Sequence, residues 1–131
     1  MSAPEIPSQL IGLLERPLYG ALGTVGRDDT AQVSPMWFEL VDGTIRFTHT
    51  TTRAKYRNLQ RNPSMSLAVY DPDKPTHYVE VRGRLVEAAA DPTGAFYQQL
   101  ARRYGIENPP APADAADRVI LVMSVDKVIG Q

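Results

Sequence analysis

Residues 47–63 read FTHTTTRAKYRNLQRNP, and this stretch joins two predicted elements. Apolar and polar residues alternate over positions 44–48, which predicts a strand with one face in a core. The three threonines at positions 50–52 can cap a helix, and a helix is predicted over residues 53–61, where Asn62 and Pro63 close it. The stretch therefore predicts a strand, a hydroxyl-rich turn and a helix that begins with basic residues.

The start of this predicted helix is a candidate anion site. A helix N-terminus presents unpaired backbone N–H groups and the positive end of the helix dipole. Arg53 and Lys55 lie in the first turn, where they would add charge-assisted hydrogen bonds. The alternative is an ordinary solvated face, because Arg53, Arg57 and Arg61 recur at every fourth position. We favour that alternative for Arg57 and Arg61 and predict an anionic ligand at Arg53 and Lys55.

Charge is unevenly distributed along the 131 residues, although the formal net charge is only −1. Residues 43–70 contain five basic residues and no acidic one, while nine basic and fifteen acidic residues lie in the remainder. Such a block indicates a local anion site rather than a whole surface committed to nucleic acid. Tyr56 is the only aromatic residue in the basic helix, and base stacking requires more. No nucleic-acid partner is expected.

Composition excludes several other classes. The chain has no cysteine, which removes disulfides, thiolate nucleophiles and zinc ribbons. Its two histidines, His49 and His77, lie in different segments, so no metal site is predicted. No apolar run approaches the roughly 20 residues that span a bilayer, and the first residues lack the order of a secretory signal. We therefore expect a cytoplasmic protein with no membrane partner, formed as a single domain over residues 1–131.

Periodicity predicts a mainly β protein with short helices. Asp42 and Gly43 form a hairpin signal, and residues 71–76 form a predicted loop. Ser8 and Asp91 are predicted N-caps of two further helices, the first ending near residue 16. The predicted strands lie at residues 19–25, 31–40, 44–48, 65–70, 78–87 and 118–125. Six strands with short helices indicate a closed or nearly closed six-stranded β-barrel. A dimer would stabilise so small a domain.

Several segments together resemble one known family. Residues 47–63 are similar to the cofactor-binding stretch of the FMN-binding split-barrel superfamily, to which the pyridoxamine 5'-phosphate oxidases belong. The string RAKYRNL within it more closely resembles actinobacterial members that use the deazaflavin coenzyme F420. The segments GALGTV at 20–25, QVSPMWF at 32–38 and VRGRL at 81–85 are similar to barrel strands of the same superfamily. The resemblance implies a split β-barrel that extends over nearly the whole chain.

The resemblance also implies a cofactor site. It places Thr48, His49 and Thr50 along the cofactor, and Arg53 and Lys55 on its phosphate. Ser34, Pro35, Met36 and Trp37 would border the ring, largely through their backbone. For Met36 and Trp37 the alternative is ordinary barrel core, and for His49 it is a turn residue with a solvent-facing ring. The family forms homodimers with the cofactor at the subunit interface, and Tyr78, with His77, is a candidate contribution from the second subunit.

Two flat phosphate-bearing cofactors fit such a site, coenzyme F420 and FMN. Coenzyme F420 carries an oligoglutamate tail, so further cations such as Arg57 and Arg61 would favour it, each by only about 0–1 kcal/mol at an exposed position. The resemblance therefore implies an F420-dependent oxidoreductase that transfers hydride from the reduced cofactor to an electron-poor small organic molecule. The alternatives are an FMN-binding oxidoreductase of the same fold and a flavin- or deazaflavin-binding protein without turnover. No catalytic residue is predicted.

Overall fold

The protein is described here over residues 4–131 of a computed structural model. This part of the chain forms eight β-strands, three α-helices and one short 3-10 helix. In chain order they are α1 (Ser8–Glu15), β1 (Gly20–Val25), β2 (Ala31–Met36), β3 (Glu39–Val41), β4 (Thr44–Thr50), α2 (Ala54–Arg61), β5 (Ser64–Asp71), β6 (Lys74–Ala90), α3 (Ala95–Arg103), the 3-10 turn (Ala115–Asp117), β7 (Arg118–Met123) and β8 (Lys127–Gly130).

The strands pair in the order β2-β1-β5-β6-β7-β4-β3, every ladder is antiparallel, and β8 pairs with β6. Strand β6 belongs to both halves of the sheet, because residues 78–84 pair with β5 and residues 85–90 pair with β7. The enclosed core is aliphatic and aromatic, and its fully buried side chains include Phe38, Phe47, Leu67, Val81 and Leu121. The prediction of a mainly β split barrel with short helices is confirmed.

The predicted number of strands is wrong, because the described residues form eight strands and not six. The predicted strand at 31–40 divides into β2 and β3 at Trp37 and Phe38. At this break the backbone of Phe38 is bound by α3: its N–H donates to the Tyr104 hydroxyl at 3.0 Å, and its carbonyl accepts from Arg103 Nε at 2.9 Å. These groups are therefore unavailable to a continuous ladder. Strand β8, the second addition, pairs with residues 79–82 of β6.

Two predicted turns have different outcomes. Asp42 and Gly43 both adopt positive φ, 50° and 77°, in the tight turn between β3 and β4, as their sequence predicts. The predicted loop at 71–76 is wrong, because β5 continues to Asp71 and β6 already begins at Lys74. The Asp71 carboxylate accepts from the Asp73 N–H at 2.9 Å, which closes a turn much shorter than the predicted loop.

The helix caps also differ from prediction. Pro7 is the N-cap of α1, and no side chain caps that helix, so the prediction for Ser8 is wrong. Asp91 does cap α3, since its carboxylate accepts from the backbone N–H groups of Phe96 and Tyr97 at 3.2 and 3.3 Å. Helices within residues 4–131 are all too short or too polar to cross a membrane.

Candidate functional site

A wide pocket lies between strand β2 and the first turn of α2. Its volume is about 560 Å³. Six of the predicted site residues line it, namely Ser34, Pro35, Met36, His49, Arg53 and Lys55, together with Gln32, Val33 and Ala54. The structure thus brings residues from three separate elements to one cavity. Met36 contacts both the core and the pocket, so its two alternative placements are compatible.

The N-terminus of α2 opens on this pocket. Arg53 is the N-cap with extended backbone angles, φ −96° and ψ 157°, and no side chain caps the helix. The prediction that the threonines at 50–52 cap it is therefore wrong; instead, the hydroxyls of Thr50 and Thr52 lie 3.2 Å apart and hydrogen-bond to each other. Uncapped, the first turn keeps backbone N–H donors that have no partner within the helix. Because Ala54 and Lys55 line the pocket, these donors lie at its wall.

The cations beside the helix start have no carboxylate partner. Ion pairs within residues 4–131 involve Arg16, Arg82, Arg84 and Arg118, and none of the five basic residues of 43–70. Lys55 is half-buried, and burial lowers its pKa. An anion in the pocket would offset that desolvation through charge-assisted hydrogen bonds. The pocket therefore carries uncompensated positive charge at one end.

Arg57 and Arg61 are held by hydrogen bonds rather than fully solvated. One Arg57 guanidinium nitrogen donates to the Thr52 carbonyl at 2.9 Å, which turns the side chain back toward the helix start. Arg61 donates to Asn58 Oδ1 at 2.7 Å. Arg57 does not itself line the pocket, but this hydrogen bond holds its charge near the helix start.

His49 is the buried titratable group of the site. Its side chain is 5% exposed, so the alternative of a solvent-facing ring is wrong. Nε2 is buried and has no hydrogen-bond partner among residues 4–131. Burial first, and then the positive charges of Arg53, Lys55 and Arg118, lower the His49 pKa to about 4. The imidazole is therefore neutral at physiological pH, and the His49 residue forms part of the pocket lining.

Four other predicted residues lie outside the pocket lining. Thr48 and Thr50 are buried on the opposite face of β4 from His49, as alternation along a strand requires, and Thr48 Oγ1 accepts from Arg118 at 3.4 Å. Trp37 stacks on Tyr104, with ring centroids 5.3 Å apart and an angle of 14°, so it packs on α3 and not in the barrel core. Tyr78, in β6, pairs with Tyr70 of β5.

Sequence reasoning missed two polar residues of the site. Gln32 lines the pocket, and Asn58, 3% exposed, connects it to α2 through a hydrogen bond to the Gln32 side-chain oxygen. Gln32 belongs to the predicted strand beside Ser34, and Asn58 to the RAKYRNL string. The available signal was Asn58, an amide within the predicted helix 53–61. An amide that is buried there requires hydrogen-bond partners from other elements.

The fold and the pocket define a split-barrel protein with a positively charged cavity at the start of α2. The donor set fits a phosphate, and the adjoining wall of Pro35 and Met36 fits the flat apolar part of a cofactor.

Comparison with known proteins gives the family. Residues 6–131 match the family described as Pyridoxamine 5'-phosphate oxidase, and the chain belongs to this oxidoreductase family. It is similar to a solved protein named F420 Reductase, with 49% identity, a TM-score of 0.93, and coverage of 96% of this chain and 100% of that one. No curated protein sequence matches the chain.

More distant structures share the fold. A putative pyridoxamine 5'-phosphate oxidase from Listeria innocua has 17% identity and a TM-score of 0.68, with coverage of 92% of this chain and 93% of that one. The General Stress Protein 26 from Bacillus anthracis has 19% identity and a TM-score of 0.68, with coverage of 92% and 88%. The predicted resemblance to the split-barrel superfamily is confirmed.

Proposed function

We propose that this protein is an F420-dependent oxidoreductase that transfers hydride from the reduced cofactor to an electron-poor small organic molecule. The observation that carries the proposal is the uncapped start of α2, with Arg53 and Lys55 unpaired beside a pocket of about 560 Å³. The similarity to a protein named F420 Reductase supports the choice of cofactor.

In this proposal, each part of the pocket has a separate task. Arg53, Lys55 and the first N–H groups of α2 bind the cofactor phosphate, and the wall at 34–36 supports its ring. His49 lies within the lining as a neutral side chain, while its Nε2 is buried. The roles of Thr48, Thr50, Trp37 and Tyr78 in binding stay predictions, since their side chains do not line this pocket.

Arg57 favours coenzyme F420 over FMN. Its guanidinium group is held near the helix start by the Thr52 carbonyl and has no carboxylate partner within residues 4–131. The oligoglutamate tail of F420 continues beyond the phosphate and would place carboxylates near this charge, whereas FMN has no such extension. At an exposed residue such an ion pair contributes about 0–1 kcal/mol to the binding of F420, so it favours F420 over FMN only slightly.

When bound, the reduced cofactor supplies the hydride. The chain's own residues bind and orient it, and the apolar side chains of the wall exclude water from one side of the ring. The pocket contains no carboxylate, and its one histidine is neutral at physiological pH. We therefore propose solvent as the proton source and assign no catalytic side chain.

A second copy of the chain would complete the site. Val33, at the pocket, is 66% exposed, and Tyr19 and Tyr70 are 62% and 55% exposed around a smaller apolar pocket of about 340 Å³. Pro35 lines both pockets, so the exposed apolar surface is continuous with the proposed cofactor site. We propose a homodimer that covers this surface, in which Tyr78 stays a candidate contribution from the partner subunit; gel filtration at the monomer mass would contradict it. The cytoplasmic location also stays a prediction.

The direct test is fluorescence titration of the purified protein with oxidised F420, FMN and the deazaflavin that lacks phosphate and tail. We expect the tightest binding for F420 and much weaker binding for the phosphate-free deazaflavin. Tight binding of FMN without binding of F420 would overturn the proposed cofactor. Oxidation of reduced F420 in the presence of nitroaromatic and quinone acceptors then separates an enzyme from a carrier, because a carrier binds F420 but accelerates none of these reactions.

A further inference from the structure

A chain of hydrogen bonds runs from helix α2 to the wall of the pocket. Arg61 donates to Asn58 Oδ1 at 2.7 Å. The Asn58 amide nitrogen donates in turn to Thr24 Oγ1 at 3.3 Å and to Gln32 Oε1. Thr24 and Gln32 are paired across β1 and β2, so Asn58 bridges two neighbouring strands. Asn58 and Thr24 are 3% and 2% exposed. The last residue of this series of hydrogen bonds is Gln32, which lines the pocket.

The donor and acceptor at each step of this hydrogen-bond series are fixed by Arg61, its first residue. An arginine side chain has only donors, so Asn58 must present its oxygen to Arg61 and its nitrogen to the other side. That nitrogen requires acceptors, which orients the Gln32 amide with its oxygen toward Asn58. Gln32 is exposed, and its nitrogen is then left with two N–H donors that no hydrogen bond within residues 4–131 uses.

We propose that Gln32 binds the cofactor through this amide nitrogen, by donating to an acceptor oxygen of the ligand. Asn58 and Arg61 are positioning residues that fix the orientation of the Gln32 amide. The inference rests on the proposed function, because it takes the pocket at Arg53 and Lys55 as the cofactor site. It adds to that function a neutral donor on β2, the Gln32 amide, which recognises an oxygen acceptor rather than negative charge alone.

The chemical class of the ligand atom is an oxygen with free lone pairs. Both a phosphate oxygen and a ring carbonyl have this chemistry, and Gln32 lies in the same lining as the cations and the β2 wall. A fixed amide donor suits either because it neither ionises nor requires a counter-charge. Titration with phosphate-bearing and phosphate-free deazaflavin distinguishes the two sources.

The test measures the dissociation constant of F420 for Gln32→Leu and Gln32→Glu, with Gln60→Leu as the control. Gln60 is exposed on the same helix as Asn58 and does not line the pocket. We expect Gln32→Leu to weaken binding by about fivefold to tenfold, the worth of one hydrogen bond. Gln32→Glu can still accept from Asn58 but presents a carboxylate to the ligand, so a larger loss is expected. Gln60→Leu should bind as the unaltered protein does.

A double-mutant cycle separates positioning from charge. Asn58→Asp can accept from Arg61 but cannot donate to Gln32, so the Gln32 amide turns and presents its oxygen to the pocket. If Asn58 acts through Gln32, the loss caused by Asn58→Asp disappears in a Gln32→Leu background. If the loss persists there, it comes from the new charge, and the positioning role is overturned.

The outcomes distinguish this inference from the proposed function. An unaltered protein that binds neither F420 nor FMN refutes both. Normal F420 binding with unchanged affinity in Gln32→Leu and Gln32→Glu refutes the role of Gln32 alone. A loss with F420 that is absent with phosphate-free deazaflavin assigns the Gln32 contact to the phosphate end, and an equal loss with both ligands assigns it to the ring.

Discussion

Replacement of His49 by glutamine should remove a defined part of the acid sensitivity of this protein. His49 is 5% exposed, and burial together with Arg53, Lys55 and Arg118 lowers its pKa from the ordinary 6.5 to about 4. In the unfolded chain the ring regains its ordinary pKa. Below pH 6.5 the unfolded state therefore binds a proton that the folded state refuses, so stability falls as the pH falls toward 4.

The size of the effect follows from the shift in pKa. Each unit of pKa difference corresponds to about 1.4 kcal/mol, so the full shift amounts to about 3 kcal/mol. Between about pH 7 and about pH 5 the expected loss is about 2 kcal/mol, because protonation of the folded state is still slight at the lower value. At neutral pH both states carry a neutral ring, and this contribution vanishes.

The assay is urea unfolding followed by circular dichroism at a series of pH values between those limits. Carboxylates contribute to the pH dependence of both proteins, so the difference between the unaltered chain and His49→Gln isolates the ring. We expect the variant to lose about 2 kcal/mol less than the unaltered chain over this interval. Identical pH dependence of the two proteins would refute the conclusion that the buried ring is held neutral.

Two further variants test the anion site and the fold. Lys55→Ala should weaken F420 binding by about tenfold to 100-fold, because it removes a charge-assisted contact. The control is Lys127→Ala, at an exposed position on β8, which should leave F420 binding unchanged. Equal losses of affinity for the two variants in fluorescence titration would place the anion elsewhere. Gly83→Ala should lower the free energy of unfolding by about 1–3 kcal/mol in urea unfolding, because a Cβ at this position would lie 1.8 Å from the Ser124 carbonyl oxygen. Unchanged stability would show that β6 can shift at this point.

Features that depend on neighbouring residues were predictable from the sequence. The turn at Asp42 and Gly43 requires positive φ at both residues, and these two residue types tolerate it. The cap of α3 by Asp91 likewise depends on groups only five and six residues away. Such local signals indicated a β-barrel with short helices, and the resemblance of several segments to a known family implied the split barrel.

Features that depend on distant contacts were not predictable. Residues 31–40 alternate as one strand would, but Tyr104 and Arg103 bind the backbone of Phe38 from more than sixty residues away. The threonines at 50–52 have the side chains of caps, yet two of them hydrogen-bond to each other. Gln32 lies in the segment QVSPMWF, but its orientation depends on Asn58 and Arg61, which only the fold brings to β2.

The fold leaves the basic residues of 43–70 without carboxylate partners among residues 4–131. Four ion pairs within residues 4–131 use acidic residues from elsewhere in the chain and none of the five cations of 43–70. Two of these cations stand at an uncapped helix start, where the helix dipole adds positive potential. Burial lowers the pKa of both Lys55 and His49, and for His49 the positive charges of Arg53, Lys55 and Arg118 lower it further. A bound phosphate would offset the positive charges that act on His49, so its binding should raise the pKa of His49. The stability of the cofactor complex should therefore fall less steeply with acid than that of the free protein.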